Sequence, residues 1–416
     1  MRLLVLSHNH PDLQPGGTEV MARGLFRELV DRHGVEGLFL AAVTGTHRER
    51  RPGTMLQAVN DRAADEMLVW LGHFDRFFLS QPDTYGLATL ANVVEELDPD
   101  VIHVHHPLLF GVETLDLLRR AAPRARRIFT AHDFFPLCPQ EGQLLTTEGR
   151  LCQGPSLDAC QRCFPNRPAA DFVMRDLQMR DSLGDFDRIL VPSAFARDRY
   201  IAAGWPAERF DVVPNGVPPV PQPAPHREAR HGRRDRFGFF GHINRFKGSL
   251  VLLGASARLT EVGVDHRISL NGGSAYQSDA FMEEFRSALS AAPATRHQGL
   301  YTAAELPGLM AEVDWVVVPS VWWENAPLVV LEAFRHNRPV ICGGVGGMAE
   351  LVRHGVDGLH APVGDPGGLA RVMRKAIETE GLWETLVAGI RQPPTMAEIA
   401  ERHLKHYQDA LMAAAA

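Results

Sequence analysis

Long apolar runs are missing from this chain: none approaches the ~20 residues needed to span a bilayer, so no membrane-crossing segment is predicted. Basic residues are in deficit. The 43 Lys and Arg stand against 50 Asp and Glu, giving a net charge of −7, and a pI near 6.3 leaves no global field to attract nucleic acid. Nucleic acid is therefore excluded as a partner. No short-period repeat or low-complexity tract occurs. Cysteine is scarce, with five in 416 residues, yet four of them fall between 138 and 163. The opening Met1-Arg2 runs straight into "LLVLS", too short for a signal-peptide core and without a small-residue cleavage site. A cytoplasmic location is expected, and disulfides are uncommon there.

What is present is ordinary globular material, 45% apolar and 22% charged, enough for substantial cores. At roughly 150 residues per domain, two or three domains are expected. Short apolar runs ("LLVLS", "GLFLAAV", "DVIHVHH", "RIFTAHD", "RILVPS") alternate with helical patterns. In "TEVMARGLFRELVDRHG", Met21, Leu25 and Leu29 fall at helical spacing, widened by Phe26 and Val30, with Thr18 as the N-cap and Gly34 as the stop. From about residue 209 the pattern restarts. A Pro-rich and then basic stretch at 218–236 reads as a linker or loop, followed by "FGFFGH", "HRISLNGG", "DWVVVPS", "RPVICGG" and "GLHAPV". This is the βα alternation of parallel sheets with covered faces. Two doubly wound α/β domains with a cleft between them are predicted. The amphipathic tail "TMAEIAERHLKHYQDALMAAAA" has no strand left to pair with and is expected to pack across the domain boundary. The predicted limits are 1–208, with a Cys-rich insert at 134–166, then 209–395, then a returning helix at 396–416.

Ligands of open α/β sheets bind beyond the carboxyl ends of the strands. "DWVVVPS" delivers "VWWENAPLVVLEAF" to that position, with Glu324 at the strand end and Glu332 about two turns into the helix. A Glu in an apolar run is rare unless something pairs with it. A ribose 2′,3′-diol offers two hydroxyl donors to one carboxylate; the alternative is a structural Glu332 bonded to an Arg or to backbone amides. "FFGHINRFKGSLVLL" sets Lys247-Gly248-Ser249 after a strand and at a helix start, where free N–H groups and the dipole favour a phosphate, with Arg245 near in sequence. The order Lys-Gly-Ser is not that of the nucleotide-triphosphate loop. An exposed basic turn is the plainer account. A phosphate site and a diol-binding carboxylate in one domain together suggest a nucleotide diphosphate. In the first half, Gly16-Gly17 allows close backbone approach, and "TAHD" places His132 at a strand's carboxyl end. "HVHH" (103–106) reads as core and cleft wall.

In order and spacing, "PGGTE", "DVIHVHH", "TAHD", "VPNGV", the Lys-Gly after a glycine-ending strand, "VVVPS", the Glu324–Glu332 pair and "GGVGGMAELVRHGVDGL" resemble the retaining glycosyltransferases of the large GT-B-fold family 4, over nearly the full length. The resemblance implies two Rossmann-like doubly wound domains and a nucleotide diphosphate sugar donor, with no metal or other cofactor for transfer. It further implies a glycan or lipid-linked acceptor in surface polysaccharide or glycoconjugate biosynthesis. By the same resemblance Lys247 holds the donor phosphates, Glu332 the ribose hydroxyls and Glu324 the donor-sugar hydroxyls, with the backbone of Asn325, Ala326, Pro327 and Leu328 nearby. His132 would face the donor sugar and acceptor, and Gly16-Gly17 the phosphate and acceptor side. Where the family often has Gly-Arg, this chain has Gly241-His242, so a fixed charge is lost unless Arg245 replaces it. The rival readings are a sugar-nucleotide epimerase of the same fold and a non-catalytic sugar-nucleotide-binding protein.

Two stretches stand outside the resemblance. "RRAAPRARR" (119–127) concentrates five arginines and reads either as a solvated helix end or as a docking patch for anionic lipid, a peripheral membrane contact suited to a lipid-linked acceptor. Cys138, Cys152, Cys160 and Cys163, the last two with C-x₂-C spacing, suit a closed structural zinc site. Unrelated reduced thiols, a disulfide pair and an iron–sulfur cluster are the competing readings.

Overall fold

The computed structural model describes residues 1–61, 64–218, 220, 223–226, 232–275 and 277–415. The chain divides into two compact units, Met1–Pro218 with Pro394–Ala416, and Pro219–Pro393. Of the stretch read as a linker at 218–236, residues 219, 221–222 and 227–231 lie outside the described residues.

Among the described residues the first unit holds an eight-stranded sheet. Its strands are β1 (Arg2–His8), β2 (Glu36–Val43), β3 (Leu56–Ala58), β4 (Glu66–Trp70), β5 (Val101–Val104), β6 (Arg126–Thr130), β7 (Arg188–Val191) and β8 (Phe210–Val212), in the spatial order β3-β4-β2-β1-β5-β6-β7-β8. All neighbours run parallel except β3 and β4. Leu3, Leu4, Val5 and Leu6 of β1 are fully buried, as a parallel strand covered on both faces requires. The helix Gly17–His33 supplies part of that cover through Met21, Leu25, Phe26 and Leu29, and ends at Gly34, which adopts φ 63. Its N-cap is Gly16 and not Thr18: the Glu19 carboxylate folds back into the space a side chain at 16 would need.

The sequence pattern sets the restart at about 209, but Phe210–Val212 is the edge strand of the first sheet. Phe210 is held there by Tyr200 and Trp205, with ring centroids 5.3 and 6.4 Å away. The helix Met396–Ala415 belongs to this unit too. It enters through Met396 N–H donating to Val217 O at 2.9 Å, and Tyr407 places its hydroxyl 2.7 Å from His103 Nδ1.

The second unit holds β9 (Arg236–Phe240), β10 (Arg267–Asn271), β11 (Thr295–Gly299), β12 (Trp315–Val318), β13 (Val340–Gly343) and β14 (Gly358–Ala361), all parallel, in the order β11-β10-β9-β12-β13-β14. Helices Ser249–Glu261 and Pro366–Glu378 pack on one face around Phe237, Leu252, Trp315 and Met373. Leu328–Arg335 packs on the other, around Val316, Val330 and Phe334. Strand β11, "TRHQG", has no apolar residue and left no mark in the hydropathy pattern; backbone pairing with β10 makes it a strand. Among the described residues no helix is long and apolar enough to cross a membrane.

His103 is fully buried with both ring nitrogens bonded, the second to Thr130 Oγ1 at 2.7 Å. Tyr407→Phe leaves one nitrogen without its partner. The expected cost is about 1–3 kcal/mol, seen as a lower urea midpoint with unchanged slope. An unchanged midpoint would show that the tail helix is held without this bond.

Candidate functional site: a lysine and two glutamates at a strand-order reversal

In the second unit the chain starts at β9, builds to one side through β10 and β11, then crosses to β12 on the other side. The loops after β9 and β12 therefore diverge from neighbouring strands, the arrangement that leaves a binding crevice in open α/β sheets. After β9, Asn244 closes a turn: its side-chain oxygen accepts Lys247 N–H at 2.8 Å and its carbonyl accepts Ser249 Oγ at 3.2 Å. Gly248 sits at φ 73, where any side chain would also collide with Pro319 O. The loop after β12 docks onto this turn through Val321 N–H donating to Phe246 O at 2.9 Å.

This docking joins Lys247 to Glu324. Lys247 Nζ lies 2.7 Å from Glu324 Oε1, and the same oxygen accepts Ser320 Oγ at 2.7 Å and Trp322 Nε1 at 2.8 Å. Burial pushes the Glu324 carboxyl up, but the Lys247 charge and these three donors hold it below the ordinary range. The resemblance assigns Lys247 to the donor phosphates and Glu324 to the donor-sugar hydroxyls; in the structure the two side chains are bonded to each other.

Glu332 is the fifth residue of the helix Leu328–Arg335, about one turn in rather than two. Its neighbours Leu331 and Ala333 are buried. Among the described residues its carboxyl accepts no hydrogen bond and forms no ion pair, so neither an Arg nor a backbone amide holds it. Burial alone raises its pKa to about 7. Tyr301, after β11, is close enough to feel its charge and rests edge-on against Phe240 at 5.8 Å. The approach to the helix is tightly held. Gly347 N–H donates to Glu324 O at 2.8 Å, a Cβ at 347 would collide with Asn325 O, Asn325 and Ala326 are buried, and Pro327 caps the helix ahead of Leu328. Arg245 is exposed and ion-paired with Glu284, its guanidinium 5.8 Å from the Phe281 ring. The two cations thus pair with different carboxylates, while His242 follows Gly241 at the carboxyl end of β9.

The first unit has its own reversal, between β1 and β5. His8 ends β1 and His106 follows β5, with ring centroids 4.5 Å apart. His8 Nε2 lies 3.2 Å from Glu19 Oε1, and burial raises Glu19 to about 7. His106 Nε2 is 2.8 Å from Asp133 Oδ2, and His105 Nδ1 is 2.9 Å from His132 Nε2 with the rings stacked. Burial lowers His132 to about 3 and puts His8 and His105 well below their ordinary value, so these imidazoles are neutral at pH 7. Burial pushes Asp133 up, but His106 more than offsets this and keeps it ionised. The "HVHH" run is therefore more than wall: His105 and His106 reach His132 and Asp133. Gly16 and Gly17 open the helix that carries Glu19. The sequence pattern singles out none of Glu19, Asp133, Ser320 and Trp322, and it assigns His106 only to core and wall. Asp133 adjoins His132 there, and Glu19 follows the glycine pair, but only strand order shows what each one meets.

The arginines at 119–127 are paired only in part: Arg119 and Arg120 pair with Asp116 at 2.6 and 2.8 Å, Arg126 with Asp187 at 3.0 Å, and Arg124 lies 3.5 Å from Asp98. Arg119 and Arg120 share the one carboxylate of Asp116, and Asp98 is shared with Arg2, so the stretch keeps an excess of positive charge. Among the described residues no group of three or more His, Cys, Asp or Glu side chains is gathered to hold a metal, the four cysteines of the insert included.

Two doubly wound parallel-sheet units, each with its polar cluster at the strand reversal, define the GT-B architecture. Residues 15–220 match the family described as Glycosyltransferase Family 4, and residues 234–379 match Glycosyl transferases group 1. The chain belongs to these family 4, group 1 glycosyltransferases. It is similar to proteins named D-inositol 3-phosphate glycosyltransferase from Salinispora arenicola and Thermobifida fusca, 30% identical over 161 and 184 residues, or 37% and 42% of this chain. The match spans only 36% and 42% of those relatives' own length. Solved structures share the fold. Anabaena Alr3699/HepE in complex with UDP and glucose is 18% identical with a TM-score of 0.70, covering 98% of this chain and 100% of its own. Sucrose-phosphate synthase from Thermosynechococcus elongatus is 17% identical, also with a TM-score of 0.70, covering 99% of both chains.

Replacing Lys247 with Met removes the charge that keeps Glu324 ionised. The Glu324 carboxyl pKa is expected to rise, read as a shift in the carboxylate infrared band of the variant against wild type. No shift would mean that Ser320 and Trp322 suffice to hold the charge.

Proposed function

We propose that this chain moves a hexosyl or related sugar from a nucleotide diphosphate sugar to a hydroxyl of a glycan or lipid-linked acceptor, in surface polysaccharide or glycoconjugate assembly. Transfer proceeds with retention at the anomeric carbon. The observation that carries this reading is the contrast within one loop and helix: Glu324 is saturated with donors, whereas Glu332, eight residues on, has none. A half-buried carboxyl without protein donors suits a ligand that brings two hydroxyls, as a ribose diol does. A diphosphate competes for Lys247, and Glu324 is then free to accept sugar hydroxyls while Ser320 and Trp322 still orient it. Family membership supports the assignment.

In the transfer step the acceptor oxygen bonds to the anomeric carbon as the bond from that carbon to the phosphate oxygen breaks. The acceptor proton passes to the leaving diphosphate, whose growing charge Lys247 and the helix start at Ser249 stabilise. His132, being neutral, contributes a hydrogen bond to the sugar or acceptor rather than a charge. Retention is supported by the family resemblance. The chemistry as drawn calls for no metal.

A panel of sugar nucleotides screened by thermal shift identifies the donor, after which label transfer to added acceptors is measured in excess chelator and the product's anomeric configuration is read by NMR. Lys247→Ala should lower kcat/KM on the order of 10²-fold or more. Wild-type kcat/KM in both Lys247→Ala and Glu332→Gln would refute the sugar-nucleotide reading. Release of an epimerised sugar without transfer would favour the epimerase, and binding with no turnover the non-catalytic alternative.

Donor binding should also depend on pH. Below pH 7 Glu332 is protonated and must lose its proton to accept two hydroxyls, so affinity is expected to rise about tenfold per pH unit up to about 7 and then level off. The two phosphates of a sugar nucleotide carry no proton that titrates in this range, which isolates the carboxyl. Glu332→Gln should bind more weakly and lose the slope; a slope that survives in this variant belongs to another group.

A further inference from the structure

We infer that Cys138, Cys152, Cys160 and Cys163 close around one structural zinc ion that pins the 134–166 insert to the first unit. Three features beyond the cysteine spacing point this way.

The first is how the backbone gathers the thiols. Residues 144–152 form a hairpin, with Cys152 N–H donating to Leu144 O at 2.8 Å and a bridge between Leu145 and Leu151. The backbone at Leu144 and Gln140 in turn hydrogen-bonds Cys138. Cys152 is the electrostatic neighbour of both Cys138 and Cys160, and Cys163 lies one turn beyond Cys160 on the helix Leu157–Cys163. The thiols now face local carbonyls, Cys138 Sγ toward Gln140 O at 3.9 Å and Cys152 Sγ toward Gly154 O at 3.2 Å. A metal would require the side chains to rotate from these carbonyls onto one centre, where four thiolates match tetrahedral zinc at ~2.3 Å.

The second is what fails to hold that helix. None of its residues is buried, and Leu157 is 48% exposed. The helix draws its apolar anchorage from the capping residue Phe164, packed against Phe77 at 5.7 Å, while Cys160 lies within electrostatic reach of Cys152.

The third is a charge. Arg175 is 3% exposed and donates to Phe77 O at 2.7 Å, Pro136 O at 3.0 Å and Phe135 O, so its hydrogen-bond partners are all carbonyls and none is a carboxylate. The ionisable groups bearing on it most strongly are the thiols of Cys138 and Cys160. A buried cation without an anionic partner is costly. Zinc with four thiolates carries a net charge of two minus, which supplies the missing counter-charge.

Closing the insert also braces the polar cluster. Phe135 packs edge-on against His106 at 5.1 Å, and Tyr200 donates to Asp133 O at 2.8 Å.

The test is elemental analysis of the full chain purified without added metal and dialysed against chelator. About one zinc per chain is expected, released as a mercurial titrates four thiols. Exchange with Co²⁺ should produce the intense visible bands and sulfur-to-metal charge transfer of a tetrathiolate site. Cys160→Ser and Cys163→Ser should each lower the zinc content. If these variants do not fold, the wild-type zinc content and cobalt spectrum still decide. Well under one zinc per chain with four freely titrating thiols, iron with acid-labile sulfide, or a mass showing a disulfide would each overturn the site. None of these readouts depends on sugar transfer.

Discussion

The reversal of strand order between β9 and β12 is the constraint from which the second unit's chemistry follows. Two parallel neighbours whose connections leave in opposite directions cannot both cover the space above their carboxyl ends. What fills that space here is a turn locked by Asn244 and Gly248 on one side and the Pro319–Pro327 segment on the other. Because the two loops dock by Val321 on Phe246, Lys247 and Glu324 meet within a hydrogen bond although they are 77 residues apart. Moving either loop would separate an ion pair and leave a buried carboxylate without its cation, a costly outcome. The geometry is therefore held by electrostatics as well as by packing.

The two glutamates show how one short segment gives the same side chain opposite protonation behaviour. Glu324 lies in the loop, where Ser320, Trp322 and Lys247 all converge on one oxygen, and it stays ionised despite burial. Glu332 lies on the helix, its neighbours along that helix, Leu331 and Ala333, are apolar, and Tyr301 is near without a hydrogen bond to it among the described residues. With no donor available its pKa rises to about 7. Eight residues of separation turn a committed carboxylate into a receptive one. A ligand that supplies donors to the second and an anion to the lysine gains from both.

Much of this was legible in the residues, and the parts that were not share a cause. The covered parallel strands announce themselves as apolar runs, and the Lys-Gly-Ser turn and the Glu pair stand out because polar residues there break an apolar pattern. Spacing, however, carries no information about which strands become neighbours. The bond between Lys247 and Glu324, the reach of His105 to His132 and of His106 to Asp133, and the diversion of Arg245 to Glu284 all depend on strand order or on helix placement. Strand β11 was invisible for a different reason, since it is an edge strand built from polar residues and made by backbone pairing alone. Strand β8 was seen but placed in the wrong half, because the aromatic contacts that hold Phe210 come from Tyr200 and Trp205 of the preceding segment.

The first unit solves a different electrostatic problem. Its cluster at the β1–β5 reversal is dense in titratable groups, yet burial keeps His8, His105 and His132 uncharged and pulls Glu19 toward protonation. Asp133 alone is held firmly ionised there, with His106 against it. Its polar groups are thus mostly hydrogen-bonding partners, whereas the second unit holds the Lys247 cation against Glu324 at its own reversal. Burial of the other imidazoles removes their charge without removing their hydrogen bonds, so the charge in this cluster is confined to the Asp133–His106 contact.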